Sequence, residues 1–442
     1  MNLTRLISDH FKISKNNSLY LKDINHEIYV PTNEEVVRIE NYLRKILLQN
    51  ILPFWYPKVI DKNEGGYLLN HDIKGNYKGK TGKSIVSQAR TMWFFSYIAK
   101  TEYGSNDHIE AARHGFEFIK NHMWDKESGG FYWEVDSTGE KIIKPDKHLY
   151  GQAYALLALS EYAIIMEDNH AKELAYKLFD IIEDYAHDNE FGGYREFFKR
   201  DWKSASGDNV NYMNVALNIK QLNTHIHLME AITVYFNLTK DNLAKERLIE
   251  LLFIQSNSVV RKNIGACTDK HSLNWKPLYE PGSIFVNYGH DLENIWLVIE
   301  ASKAIGISNY ILFDFHTTLF NNSYRYGFDR KEGGFYYGGP LSKPADKLGK
   351  IWWVQAESLI ASIYLYSMTR QKIYFDCFSK TLDWITQHQV DWEFGDWFAL
   401  VKKNGNSEGD KADNKNGAWK TPYHNGRAII KCLELIKIFQ DI

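Results

Sequence analysis

Cysteine is scarce in this chain. Its three residues, Cys267, Cys377 and Cys432, lie far apart in 442. They give no Cys-x-x-Cys metal pattern and fit a reducing, cytoplasmic setting. A surplus of one charge is lacking too: the formal net charge is −2 and no basic stripe is present, which argues against nucleic acid as a partner. No apolar run approaches a membrane span. The N-terminus, MNLTRLISDHFKISKNN, carries charges where a secretory signal needs an apolar core. No Pro/Gly/Ser-rich linker divides the chain, so a length that permits two or three domains is read as one. Residues 1–35 are polar and read as an N-terminal extension or strap before a single domain, 36–442. Residues 402–416 (KKNGNSEGDKADNKN) read as a solvated loop.

What the chain does have is a recurring tag, Asp-x-x-x-Gly-Gly-aromatic. It reads DKNEGGY from Asp61, DKESGGF from Asp125, DNEFGGY from Asp188, DRKEGGF from Asp329 and, eroded, DWEFGDW from Asp391. The steps between aspartates are 64, 63, 141 and 62 residues. The long step is about two ordinary ones, which places a decayed tag between 250 and 270. Asp accepts local backbone N–H bonds and Gly allows positive φ, so the tag predicts a tight turn. Between tags, Ser84–Tyr103, Tyr150–Met166, Leu222–Phe236, Ile295–Ile305 and Trp352–Met368 carry apolar residues at helical spacing. Second amphipathic helices follow, as at Ile109–His122 and Ala171–His187. Each period is a helical hairpin plus a loop. Six such hairpins make an all-α (α/α)6 barrel with its tag turns on one face; an open solenoid is the competing arrangement.

Several segments put polar groups into otherwise apolar helices. Asn223, His227 and Glu230 share one helical face, with His225 on the other. His290 and Glu293 are i, i+3 in a Gly-His-Asp turn; Trp296 continues their face, and Asp291 reads as a helix cap. Trp353 and Glu357 share a face, a combination suited to stacking on a sugar ring and binding its hydroxyls. His424 follows Trp419 and Pro422, with Arg427 three residues on. Arg90 sits on a largely apolar helix, so it needs a buried partner or a ligand. The set lacks a Ser or Cys nucleophile and any metal motif of standard spacing. It suits proton transfer near neutral pH by histidines.

Some of these stretches resemble the N-acylglucosamine 2-epimerase superfamily, within it the cellobiose and mannose 2-epimerase branch. They are LPFW (Leu52–Trp55), QARTMWFFS (Gln88–Ser96), YGQAYALLALSEYA (Tyr150–Ala163), NTHIHLMEA (Asn223–Ala231), YGHDLENIWL (Tyr288–Leu297), WWVQAE (Trp352–Glu357), GDWF (Gly395–Phe398) and WKTPYHNGRA (Trp419–Ala428). The chain is similar to that family from about Leu52 to Leu435. It departs in its long N-terminus and in GDWF where GEWF is usual. The resemblance implies an (α/α)6 barrel and a carbohydrate 2-epimerase acting on the reducing-end aldose, free or β-linked, with glucose or mannose configuration. It implies His290 and His424 as the acid/base pair and Arg90 on the sugar oxygen near the reacting carbon. His227 would assist ring opening with Asn223 nearby, and Glu293 would support His290. Trp353 and Glu357 would hold the sugar, Trp419 would stack on it or the next sugar, and Tyr150 and Trp296 would line the site. The loop 402–418 resembles a lid of the disaccharide and mannose 2-epimerases. No metal or nicotinamide cofactor is expected; the partner is a mono- or disaccharide and the assembly a monomer or homodimer. An aldose–ketose isomerase of the same family and a glycoside hydrolase using Glu293 and Glu357 are the rival enzymes. A non-catalytic helical repeat protein is the third alternative.

Overall fold

The computed structural model describes residues 27–205, 210–280, 283–402 and 414–437. Helices alternate between two kinds along the chain. The odd-numbered ones are α1 (Asn33–Ile46), α3 (Asn106–Phe118), α5 (Asn169–Ala186), α7 (Asn242–Phe253), α9 (Phe313–Gly327) and α11 (Lys372–Trp384). The even-numbered ones are α2 (Ile85–Ala99), α4 (Leu149–Met166), α6 (Leu222–Thr239), α8 (Tyr288–Ala304), α10 (Trp352–Thr369) and α12 (Tyr423–Ile436). Sequence dictates which ring each joins. In α5 the buried residues are Ala171, Leu174, Ala175, Leu178, Phe179, Ile182 and Ala186, the single stripe of a helix with one wet face. In α4 every residue from Leu149 to Ala163 is buried, as an inner helix requires. The even helices form a closed inner ring: each packs on the next, and α12 packs back on α2. The fold is an (α/α)6 barrel. Strands among the described residues are two or three residues long and only tie loops together. None of the described helices is long and apolar enough to cross a membrane.

The tags dock onto the N-terminal ends of the inner helices. Asp61 N–H donates to Gly66 O at 3.0 Å, and Gly65 N–H returns to Asp61 O at 3.0 Å. Asp61 Oδ2 accepts from Lys83 Nζ at 2.8 Å. Tyr67 N–H donates to Gln88 Oε1 at 2.8 Å, in the first turn of α2. A Cβ on Gly66, whose φ is +65°, would lie 2.6 Å from that Gln88 oxygen, which is why glycine recurs there. The lysine recurs as Lys147, Lys220, Lys350 and Lys415 on Asp125, Asp188, Asp329 and Asp391. Gln152 and Gln355 repeat the clamp. In the third repeat His225 takes that place: its Nε2 accepts from Tyr194 N–H at 3.0 Å and its Nδ1–H donates to Gln221 O at 2.7 Å.

The decayed tag lies at Arg261–Cys267, where Gly265 N–H still donates to Arg261 O at 2.8 Å. Arg261 replaces the aspartate, and the buried Val286 stands where the other repeats carry lysine. Both members of the ion pair are absent, and the half-buried Arg261 bonds instead to Thr268 Oγ1 at 2.9 Å and to His271.

Three expectations are corrected by the structure. Helix α8 begins at Tyr288, not Ile295. Its first two turns are polar because they face a cavity and a loop, and the apolar period does not register them. Asp291 does not cap α8: Asn287 does, accepting from Gly289 and His290 N–H. Asp291 instead accepts from Cys267 N–H at 2.9 Å, and burial raises its carboxyl to about 8. At the N-terminus, α1 starts at Asn33 with a Thr32–Glu35 capping box, ahead of the expected boundary at residue 35. Just before it, Ile28 pairs with Gln371. Residues 1–26 and most of the loop 402–418 lie outside the described residues.

Candidate active site

The first turns of the inner helices converge on a cavity of about 240 Å³. Arg90, Tyr150, Asn223, His227, His290, Glu293, Trp353, Trp419 and His424 line it, with Asn287, Tyr337 and Trp352. All but two of the residues selected from sequence therefore meet at one place. The exceptions are Trp296 and Glu357. Neither lines the cavity; both lie beneath it. Glu357 is fully buried and Trp296 is 2% exposed. Trp296 Nε1–H donates to Glu357 Oε2 at 2.8 Å. Glu357 Oε1 accepts from His424 Nδ1–H at 2.6 Å. The expected sugar-binding role for these two gives way to a supporting one, because helical spacing places Glu357 one turn below Trp353.

The two predicted acid/base histidines share a wall. The Trp353 ring lies 5.0 Å from His290 and 5.7 Å from His424, centre to centre. With Nδ1 of His424 fixed on Glu357, Nε2 is its free nitrogen. Burial, reinforced by Arg90 and Arg427, pushes the His424 imidazole well below its ordinary range, so it is neutral at neutral pH. Burial also lowers His290. Arg90 projects from α2 with Nη1 on Trp419 O at 2.9 Å and Nη2 on the hydroxyls of Tyr150 and Tyr154 at 2.8 and 2.6 Å. These are neutral acceptors, so the guanidinium keeps its charge for an anion in the cavity. His227 is lowered to about 4 by burial; its Nδ1–H donates to Glu230 Oε2 at 3.2 Å.

Beneath the cavity three glutamates surround one arginine. Arg427 Nη1 reaches Glu230 Oε1 at 2.5 Å, and Nη2 reaches Glu293 Oε1 at 3.0 Å and Glu357 Oε1 at 2.8 Å. Tyr423 OH bonds to Glu230 and Arg427. The negative charges outnumber the fixed cation, and the excess falls on Glu293. Burial first, then its carboxylate neighbours, hold its carboxyl well above the usual range. Its Oε2 has no hydrogen-bond partner and lies 3.9 Å from His227 Nε2. The expected support of His290 by Glu293 is therefore replaced: Glu293 belongs to the arginine cluster, between His227 and His424. The oxygens of Glu293 and Glu357 and a ring nitrogen of His424 lie within 4.8 Å of one another, a spacing open to a metal ion. Arg427 Nη2 already bonds both carboxylates, so the cation of this cluster is a side chain.

Residues 66–428 match the family described as N-acylglucosamine 2-epimerase (GlcNAc 2-epimerase). The chain belongs to this family. Among relatives, a cellobiose 2-epimerase of Dictyoglomus turgidum is 30% identical over 395 residues, covering 88% of this chain and 96% of that protein. The solved cellobiose 2-epimerase of Spirochaeta thermophila superposes with a TM-score of 0.83 at 27% identity, over 93% of this chain and 100% of that one. A D-mannose isomerase of Marinomonas mediterranea is 25% identical, covering 88% of this chain and 95% of that protein.

Within this epimerase-family site, sequence reasoning passed over Tyr154 and Tyr423, and it named Glu230 and Arg427 only as helical neighbours of His227 and His424, without a role. A signal was available. Tyr150 and Tyr154, like Tyr423 and Arg427, are i, i+4 pairs on inner helices. An arginine one turn beyond His424 on a buried helix needs carboxylates, and the only choice was which ones. The departure at GDWF also has a local account. Asp396 occupies the second glycine's place at φ +55°, and its carboxylate holds Asn425 Nδ2 at 2.7 Å and Lys420 Nζ.

Proposed function

We propose that this sugar 2-epimerase inverts C2 of a reducing-end aldose by two-histidine proton transfer, and that it acts on glucose- or mannose-configured sugars, free or β-linked. One observation carries the reading: His290 and His424 both pack against the Trp353 ring and line a single cavity, with Arg90 also in its lining.

Ring opening comes first. It needs a proton delivered to the ring oxygen and one removed from the anomeric hydroxyl. Glu293 is a carboxyl kept protonated with an unpartnered oxygen, and the neutral His227 faces it. The aldehyde then acidifies the proton on C2. A neutral imidazole takes that proton, the C–H electron pair forms the C1=C2 double bond, the carbonyl π pair moves onto the C1 oxygen, and Arg90 meets the enediolate charge. The other imidazole, loaded with a proton from solvent against the lowering that burial imposes on both rings, delivers it to the opposite face of C2. The first histidine ends charged and the second neutral, so the reverse reaction finds its bases already set. The cavity is the size for one sugar ring. Trp419 stands at its rim, 43% exposed, where a β-linked second sugar would emerge. The hydrolase rival is disfavoured by geometry, because Glu357 is buried beneath the cavity and shares Arg427 with Glu293.

The test is incubation with glucose, mannose, cellobiose and mannobiose in heavy water, followed by proton NMR. The expected product is the C2 epimer with deuterium at C2. A ketose would assign the isomerase reaction, and released monosaccharide would assign hydrolysis. Either outcome overturns the proposal.

A further inference from the structure

Arg427 does not line the cavity, and its side chain is 1% exposed. It nevertheless gathers carboxylates from three inner helices: Glu230 of α6, Glu293 of α8 and Glu357 of α10. We infer that Arg427 is a positioning residue for His424, acting through Glu357 to fix which imidazole nitrogen faces the substrate. The inference rests on the two-histidine reading above.

Glu357 has no freedom left. Oε1 takes both Arg427 Nη2 and His424 Nδ1–H, and Oε2 takes Trp296 Nε1–H. Arg427 lies over the Trp296 ring, its guanidinium carbon 4.5 Å from the centroid, so the same indole braces both partners. Burial raises the Glu357 carboxyl, and the donors from Arg427 and Trp296 oppose that rise; held by three donors, it presents a lone pair to Nδ1. The Nδ1–H tautomer follows, and Nε2 is left as the base. The charged groups that face His424 are Glu357, Glu293, Glu230, Arg90, His227 and Arg427 itself. Remove Arg427 and this set holds three carboxyl groups around one imidazole; Arg90 is the fixed cation that remains, and its bonds go to Trp419, Tyr150 and Tyr154 rather than to the carboxylates. A proton then settles on His424 or Glu357, and His424 is no longer a neutral base of defined orientation. A lysine keeps the charge, but its single ammonium does not reproduce the planar fork that bridges three carboxylates.

Proton exchange separates this role from mere packing. In a two-base enzyme, disabling one base stops C2–H exchange from the epimer it deprotonates. The other epimer still exchanges through the remaining base. Arg427→Gln, Arg427→Lys and His424→Ala are compared by proton NMR in heavy water, starting from each epimer, with thermal melts as a check on folding. Arg427→Gln is expected to lose exchange from the same epimer as His424→Ala, keep exchange from the other, and lose about 10²-fold in epimerisation. The acid limb of kcat/KM moves to higher pH, because loss of a neighbouring cation favours imidazolium; Arg427→Lys moves it less. If Arg427→Gln does not fold, Trp296→Phe removes one donor from Glu357 and predicts the same asymmetry at a few-fold level. Parallel loss from both epimers, or no change, overturns the inference while His424→Ala remains asymmetric. Absence of asymmetry in His424→Ala itself takes down the two-histidine reading, and the role of Arg427 with it.

Discussion

Two sets of buried charges sit at the same ends of the inner helices, and they are built on opposite rules. In the tag turns every aspartate has a cation. Asp188 and Lys220, for example, are 3% and 0% exposed in their side chains and 2.8 Å apart. Lys220 and backbone N–H groups draw the Asp188 carboxyl below its ordinary value against the opposing cost of burial. In the cluster under the cavity three carboxylates share Arg427, and Glu293 is forced upward. Balanced charges make rigid joints and hold no spare proton. An unbalanced cluster must hold one, and it borders the cavity. The fourth repeat adds the control: where the aspartate became Arg261, the lysine became Val286, so the joint is abandoned as a unit.

That contrast can be broken experimentally, beginning with the largest effect. His290→Ala and His424→Ala should each lose epimerisation by about 10² to 10⁴-fold, toward the upper end because the return proton is lost too. Their melting temperatures should stay near wild type; steady-state assays and thermal melts check this. In the tags the opposite pattern is expected. Lys220→Met strands Asp188 and should cost about 3–5 kcal/mol in stability, while kcat per folded molecule, measured with active-fraction correction, stays unchanged.

Acid should separate the two sets again. Burial holds His148, His225 and His316 at about 3 and His227 and His271 at about 4, against 6.5 for a free imidazole. Between those values the unfolded chain binds protons that the fold does not, so stability falls as pH drops from 6.5 toward 4. The tag aspartates Asp61, Asp188 and Asp329 are lowered instead and withdraw their stability only below their free value of 3.8. Thermal melts across pH 7 to 4 should show the decline begin in the histidine window; a flat profile there would contradict it.

Smaller still is His225→Gln. The same position holds Gln88, Gln152 or Gln355 in other repeats, so a modest stability loss with near-normal kcat is expected. His227→Gln, on the other face of the same helix, should lower kcat strongly. Exhaustive chelation should change nothing, since Arg427 occupies the one carboxylate–imidazole cluster found among the described residues; activity lost to chelator and restored by a divalent ion would refute this.

The fold was legible because its signals are local and repeated. Asp61, Gly65 and Gly66 set a turn whatever lies beyond it, and the stripe of α5 needs only its own residues. The site was legible where polar side chains interrupt an apolar helix, as His227 and His290 do. What was hidden depends on which atoms meet across the ring. Nothing in the spacing of Trp296 and Glu357 says that they bond to each other rather than to a sugar. Nothing local pairs Glu293 with Arg427 instead of His290, because those contacts are fixed only when α8, α10 and α12 close on one another.

The central claim is that His290 and His424 address opposite faces of one carbon. The direct measurement is C2–H exchange into heavy water by His290→Ala and His424→Ala, each started separately from both epimers of the sugar the wild type converts. The account predicts mirror-image results: each variant exchanges one epimer, the two variants exchange opposite ones, and neither epimerises at an appreciable rate. Near-normal epimerisation by either variant, or loss of exchange from the same epimer in both, would contradict it.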